Sequence, residues 1–323
     1  MKRATFKTLL VSAVTAASVL TALPAAAQQY SIGTLPQGSS GYAVAAAMAA
    51  AISDHSDYDV VAVPTGGSNL VLPQVNAGEI EFATSNVIEA YYATHGTGNF
   101  DGNALGNPQV AAVLPTFSVG FLVPKDSDIH SATDLKGKNV PTRYSAMKLI
   151  EIMQEATLAA EGMTPADLAG GAVPNFVKAL DAMAAGRLDA AFANPGSGKV
   201  RAVDAAIGVR TLGINPVEGG VEKMQELAPG SFLGMVEPGP AYPGLEAPAK
   251  MFTYEYALLV GKDVPEEVVY AAAKALYENA DQLAGGAPLF KGWDPKGIYH
   301  PIDGVSFHPG AVKFFTEAGL MTQ

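Results

Sequence analysis

Short apolar runs recur along the chain, each followed by a longer stretch rich in alanine. The runs 30–34, 58–63, 80–84, 110–123, 189–193, 209–214 and 251–260 carry Val, Ile, Leu, Phe and Tyr and read as strands. Segments 41–53, 67–77, 86–94, 145–161, 176–185, 196–206 and 265–283 read as helices. Each opens on or beside Gly, Ser, Pro or Asn, residues that cap or pre-set a first turn. Alternation of strand and helix predicts an α/β fold. Two runs, 110–123 and 251–260, are long and largely apolar, as strands covered on both faces are.

The first 27 residues stand apart. Lys2, Arg3 and Lys7 give a positive start, residues 9–23 are apolar, and Ala25 and Ala27 precede Gln28 as a small-residue cleavage site. This predicts a cleaved secretory signal and a periplasmic mature protein, since the apolar run is shorter than the ~20 residues of a membrane-spanning helix. The chain has a net charge of −11, and loss of three positive charges with the signal makes it more acidic. Such a balance excludes nucleic acid and anionic lipid as partners. With no cysteine there is no lipid anchor at an N-terminal Cys, no disulfide and no thiolate metal site. The remaining roughly 300 residues exceed one compact core, which predicts two domains.

Several strands run through small-residue loops into helices. The first turn of a helix leaves backbone N–H groups unpaired and carries partial positive charge, so an anion binds there without Arg or Lys. Three loops have this form: Gly33 to Tyr42, Pro64 to Asn69, and Asn194 to Gly198. Their candidate ligand contacts are Thr34, Gly38, Ser39, Ser40 and Tyr42, then Thr65, Gly67, Ser68 and Asn69, then Asn194 and Gly196. Asn86, at the start of a further helix, joins them. Ordinary turns account for each loop taken alone; together they match the ligand position of open α/β sheets, outside the carboxyl ends of strands.

Read in order, these loops resemble the TAXI family of TRAP-transporter binding proteins over nearly the whole mature chain. The likeness rests on Ile32-Gly33-Thr34, Thr65-Gly66-Gly67-Ser68-Asn69-Leu70, Asn76-Ala77-Gly78-Glu79-Ile80-Glu81-Phe82 with Ser85-Asn86, and Asp134-Leu135-Lys136-Gly137-Lys138. It continues in Gly186-Arg187-Leu188-Asp189-Ala190-Ala191-Phe192, Tyr242-Pro243-Gly244, Val264-Pro265-Glu266-Glu267 and His308-Pro309-Gly310-Ala311. The resemblance implies the type II periplasmic binding protein fold, with lobe 1 at 28–116 and 253–323, lobe 2 at 117–252, and 110–123 and 251–260 crossing between them. It further implies a monomer without catalysis or cofactor that captures a small carboxylate, such as glutamate, 2-oxoglutarate or a related organic acid, for TRAP membrane subunits.

The chain departs from the family at two loops. Leu35, Pro36 and Gln37 interrupt the opening loop, and Pro141-Thr142-Arg143-Tyr144-Ser145 replaces a small Gly/Ser loop. An Arg at a helix start is unfavourable beside the dipole unless it holds an anion, so Arg143 is the expected carboxylate clamp, flanked by Tyr144 and Ser145. A plain surface Arg is its alternative.

Other motifs lead elsewhere. Gly196-Ser197-Gly198-Lys199 resembles the tail of a P-loop, but Ala193 and Val200 break the pattern. Ser145-Ala146-Met147-Lys148, with Tyr277-Glu278-Asn279, suggests an exported serine hydrolase, for which the Lys-Thr-Gly strand is missing. A sensor presenting ligand to a membrane receptor is the third reading. His55, His95, His130, His300 and His308 show no metal spacing. Tyr91 and Tyr92 read as core, and Trp293, Phe290, Tyr299 and Phe307 as a packing cluster.

Overall fold

Parallel strands that need helical crossovers begin the chain, and antiparallel strands finish its sheet. The computed structural model describes residues 29–66, 68–240, 242–302 and 304–321, with Ser68 and Asn69 described through their backbone. The signal expected at 1–27 lies outside the described residues. In chain order come β1 (Gln29–Thr34), α1 (Ser40–Asp54), β2 (Asp59–Pro64), α2 (Ser68–Ala77), β3 (Phe82–Asn86), α3 (Val87–His95) and β4 (Pro108–Pro124). Then follow β5 (Arg143–Tyr144), α4 (Lys148–Ala160), β6 (Ala172–Val173), α5 (Phe176–Ala184), β7 (Ala191–Ala193), α6 (Gly198–Ile207) and β8 (Val209–Thr211). The last elements are α7 (Gly220–Leu227), β9 (Phe232–Val236), β10 (Ala249–Gly261), α8 (Glu266–Glu278), α9 (Ala280–Gly286) and α10 (Pro309–Glu317). No helix among the described residues is long and apolar enough to cross a membrane.

The main sheet runs β2-β1-β3-β10-β4-β7, with β8 on β4 and β9 on β10. Strands β1, β2 and β3 are parallel, whereas β10 is antiparallel to β3, β4 and β9. The two long strands change partners along their length. β4 pairs β10 up to Val119, then β7 from Gly120 and β8 from Leu122. β10 pairs β9 through residues 249–253 and β3 through residues 256–260. They are therefore the two expected crossings between a first half, built on β1 to β3, and a second, built on β7 and β8. Burial on both faces explains their apolar composition: in β4 only Pro115 and Thr116 interrupt a buried run from Val110 to Val123.

Registry shifts between Glu255 and Tyr256, where the partners jump from Thr116 to Leu114. Pro115, which has no N–H to give a ladder, is the residue left out.

Helix starts follow the expected caps: side-chain oxygens of Ser39, Asn86, Asn175 and Ser197 each accept a backbone N–H from the first turn. The helix expected over 265–283 breaks at Asn279, whose amide bonds back to Ala275 O at 2.8 Å. Elements absent from the sequence reading include α7, α10 and β9. In α7 only Gly220 and Met224 are buried, and β9 is interrupted by Gly234, packed where a Cβ would lie 2.5 Å from Thr253 Oγ1. The expected aromatic cluster is two groups: Phe290 against Trp293 at 5.4 Å, and Tyr299 against Phe307 at 5.1 Å between ring centroids, both of the latter also against Phe315.

In the second half, residues 138–144 lie alongside 169–173. Ala169 N donates to Lys138 O at 2.9 Å, Thr142 N to Gly171 O at 3.2 Å, and β5 pairs β6. Gly170 permits this approach: a Cβ there would sit 1.7 Å from Val140 O. Gly170→Ala is expected to destabilise the protein by about 1–3 kcal/mol through forced backbone displacement. A urea titration reading an unchanged midpoint would contradict that packing.

Candidate functional site

Two helix starts from opposite halves meet across β4. Ser39 caps α1, its Oγ accepting from Tyr42 N at 3.0 Å, and Ser197 caps α6, its Oγ accepting from Val200 N at 3.1 Å. Between them Lys199 N donates to Gly38 O at 2.9 Å, and Ser40 Oγ donates to Asn194 Oδ1 at 3.0 Å. Asn194 Nδ2 in turn donates to Ser118 O of β4 at 2.6 Å. Gly38 takes φ +85°, the left-handed conformation that lets its loop turn toward the other half.

These loops form one wall of a pocket. Ser40, Phe117, Asn194, Gly196, Arg201 and Tyr242 line it, and residues 287–289 close it. Arg201 Nη1 donates to Gly196 O at 2.7 Å, which holds the guanidinium beside the α6 start. Lys199 instead pairs with Asp181, whose carboxyl it holds below the usual carboxylate range. Arg201 is thus the cation of this pocket, set among N–H groups that also favour an anion.

A second pocket lies on the other side of Phe117, whose ring stands 4.9 Å from Tyr256 and 6.0 Å from Tyr254. Its polar wall is Thr84, Ser85, Asn86, Glu89, Tyr254 and Tyr256; its apolar wall is Met147, Leu149, Ile150 and Met153, at the start of α4. Glu89 is 1% exposed. Its Oε2 accepts from Ser85 Oγ at 2.9 Å and its Oε1 from Asn99 Nδ2 at 2.8 Å, while its N–H donates to Asn86 Oδ1 at 2.9 Å. Burial pushes both tyrosine hydroxyls up, and the Glu89 charge adds to this, so they stay protonated. Tyr256 OH bonds to Thr84 and lies against the α1 start, where a Cβ on Gly41 would be 2.8 Å away.

Among the expected site residues, Ser40, Asn194 and Gly196 line the first pocket and Asn86 the second. Ser39 and Gly38 shape the opening loop without lining either. Thr34 is buried, its Oγ1 accepting from Thr84 Oγ1 at 2.7 Å and its carbonyl from Thr65 N at 2.9 Å and Thr65 Oγ1 at 2.8 Å. Both threonines therefore serve to join β1 to its neighbours. Tyr42 is half-buried on α1, away from both pocket walls. Gly67 and the side chains of Ser68 and Asn69 lie outside the described residues.

Arg143, Tyr144 and Ser145 stand apart from the helix start expected for them. Arg143 does not start a helix; it sits exposed on β5, and α4 begins only at Lys148. Pairing with β6 alternates the side chains, sending Arg143 outward and Tyr144 into the core, where its hydroxyl donates to Gln154 Oε1 at 3.2 Å. Ser145 is exposed before the helix, and Lys148 Nζ donates to Glu151 Oε1 at 3.0 Å. None of Arg143, Tyr144 and Ser145 lines either pocket.

The residues that sequence reasoning missed are Glu89, Phe117, Arg201, Tyr254 and Tyr256. Arg201 had a usable signal, because it lies in the first turn of a helix behind a Ser cap, the placement argued for Arg143. Glu89 was hidden by its spacing from Asn86, which reads as a helix-capping pair.

Asn194→Ala removes a bond between the halves, worth about 1 kcal/mol net, and so is expected to raise the ratio of open to closed forms roughly fivefold. Spin labels on Asp57→Cys and Glu226→Cys, both exposed positions in a chain with no cysteine of its own, would report it. An unaltered distance distribution would remove this bond from the closure.

The NMT1-like family profile matches residues 32–319. A solved structure described as that of a periplasmic transporter is similar over 90% of this chain and 92% of its own, at 15% identity and TM-score 0.55. PhnD1 of Prochlorococcus marinus, solved with methylphosphonate, aligns over 91% of this chain and 99% of its own, at 10% identity and TM-score 0.54. A sulfonate-binding protein SsuA of Methylobacillus flagellatus KT aligns over 91% and 96%, at 14% identity and TM-score 0.51. These likenesses establish the fold, the type II arrangement of periplasmic binding proteins. By its match over nearly the whole described length, the chain belongs to the NMT1-like family.

Proposed function

We propose that the protein is an exported, periplasmic solute-binding protein of a TRAP transporter of the TAXI type, which captures a small carboxylate between its two lobes and delivers it to the membrane subunits. The reading takes residues 28–116 and 253–323 as lobe 1 and 117–252 as lobe 2. It assigns the protein no catalysis.

The observation that carries this reading is the pocket where the α1 and α6 starts face each other with Ser40, Asn194 and Arg201 between the halves. An anion placed there contacts groups from both halves at once, and only such a ligand favours the closed form over the open one. The acidic protein as a whole repels anions, so recognition has to come from local dipoles and the one guanidinium. A carboxylate fits Arg201 through paired N–H bonds.

Methylphosphonate and sulfonate ligands of similarly folded proteins keep other oxyanions in view. A thermal-shift screen of the mature protein against amino acids, 2-oxo acids, dicarboxylates, sulfonates and phosphonates separates the classes. A ligand at 100 times its Kd adds about 2.7 kcal/mol of stability. Stabilisation by a carboxylate class is the expected result, and stabilisation confined to sulfonates or phosphonates would overturn it. Arg201→Ala is expected to weaken the selected acid by about 1.5–3 kcal/mol in calorimetric titration, the loss of a charge-assisted bond. Unchanged affinity would place the anion elsewhere.

A further inference from the structure

Only one corner of the first pocket is polar. Ser40, Asn194, Arg201 and the backbone of Gly196 and Gly198 come from the two helix starts. Among the described residues that line the pocket, Arg201 is the one cation and there is no carboxylate. Away from that corner the wall turns apolar along α1: Ala43 and Val44 follow Ser40 at i+3 and i+4, the spacing that keeps side chains on one helix face. One turn further, Ala47 packs so close to Gly286 that a Cβ there would lie 2.8 Å from the Ala47 Cβ. This contact seats residues 287–289 at the far end of the same wall. Phe117 and Tyr242 complete the lining with ring surface; Tyr242 packs on Val236, Leu245 and Met251, and burial pushes its hydroxyl up. A third cavity, lined in part by Pro115 and Trp293, shares Tyr242, Pro288 and Leu289 with the first, so the pocket continues at its apolar end.

We infer that the solute carries a single carboxylate on an apolar body, a medium-length aliphatic or arylalkyl monocarboxylate, in preference to a dicarboxylate or an amino acid. This rests on the reading of the pocket as the carboxylate site and deepens it. The head group takes the N–H groups and the guanidinium at the α1 and α6 starts, and the body lies along Ala43, Val44 and Leu289, where each methylene removed from water gains free energy. A second carboxylate on a short chain is left against these apolar side chains with no cation to meet it, and an unpaired charge taken out of water is costly. An ammonium beside the head group meets the like charge of Arg201 and no carboxylate side chain of the pocket. Selectivity thus comes from what the apolar wall refuses as much as from what the polar corner holds.

The test is calorimetric titration of the mature protein with propionate, hexanoate, octanoate and 3-phenylpropionate, set against glutarate, suberate, glutamate and 2-oxoglutarate. Affinity is expected to grow on the order of threefold for each methylene added from propionate to hexanoate, as burial of a methylene requires. Hexanoate should bind about tenfold or more tighter than glutarate or glutamate. Leu289→Asn is expected to flatten the dependence on chain length, whereas Arg201→Ala weakens every acid of the series alike. Affinity that does not grow with chain length, or glutarate, glutamate or 2-oxoglutarate bound more tightly than hexanoate, would overturn the inference and leave the carboxylate reading standing. Suberate bound more tightly than octanoate would also overturn it, with Lys291 of the third cavity as the cation for the second carboxylate. Alkanesulfonates of the same lengths separate head from body: if they bind with growing affinity and the carboxylates do not bind, the apolar body stands and the carboxylate falls. No binding by any member rejects both. Where Leu289→Asn fails to fold, the wild-type series decides, with Ala43→Ser as a second probe of the same wall.

Discussion

The pairing of β4 with β10 is the constraint on which the rest of the structure depends. Each strand is anchored in both halves, and each is paired with the other through the crossing. Because a ladder alternates its side chains, the crossing has two distinct faces. Phe117, Tyr254 and Tyr256 border the two pockets described, whereas Thr116 and Glu255, opposite each other in register, border the third cavity, which shares Tyr242, Pro288 and Leu289 with the first. There Glu255 meets His300 of the C-terminal segment at 2.9 Å. The bulge at Pro115 breaks the ladder at this level, where a hinge between halves would bend with least loss of hydrogen bonding. The position of the cleft and its aromatic floor follow from the two strands.

The floor keeps opposite charges apart. On one side of Phe117 the guanidinium of Arg201 reinforces two helix starts; on the other a carboxylate stands among hydroxyls. Neither charge is on a flexible loop: Arg201 is tied to Gly196 O and Glu89 to Ser85 and Asn99. Groups held in one position in this way lose little side-chain freedom when a partner approaches. The strong net negative charge of the protein makes the local cation more important, since the long-range field does nothing to gather anions.

Much of this was legible before the structure. Runs of apolar residues marked the crossing strands because burial on both faces leaves no polar alternation, and Ser39, Asn86 and Ser197 marked helix starts because capping restricts residue type. Ser40, Asn86, Asn194 and Gly196 were reached by that reasoning. The helix start expected at Arg143 was not legible, since a dipeptide bridge to β6, which carries no sequence pattern, holds the residue on a strand and exposed. Tyr254 and Tyr256 were missed for a related reason. Inside an apolar strand nothing in the sequence distinguishes a side chain facing a cleft from one facing a core. Glu89 shows a third limit: a residue that satisfies a local capping rule conceals the pocket wall on which tertiary structure places it.

The bonds that join the halves explain how a ligand gains control of them. Ser40 to Asn194, Lys199 N to Gly38 O, Asn175 Nδ2 to Gly66 O at 3.3 Å and Tyr92 OH to Leu227 O are bonds between neutral acceptors and neutral donors. Each contributes only about 0.5–1.5 kcal/mol net, because both groups are solvated when the halves part. Moving a two-state equilibrium from mostly open to mostly closed takes about 5.5 kcal/mol of differential binding. Weak bonds of this kind assist closure without completing it. On the proposed reading, a charge-assisted contact of the ligand with Arg201, made only in the closed form, adds to them about 1.5–3 kcal/mol.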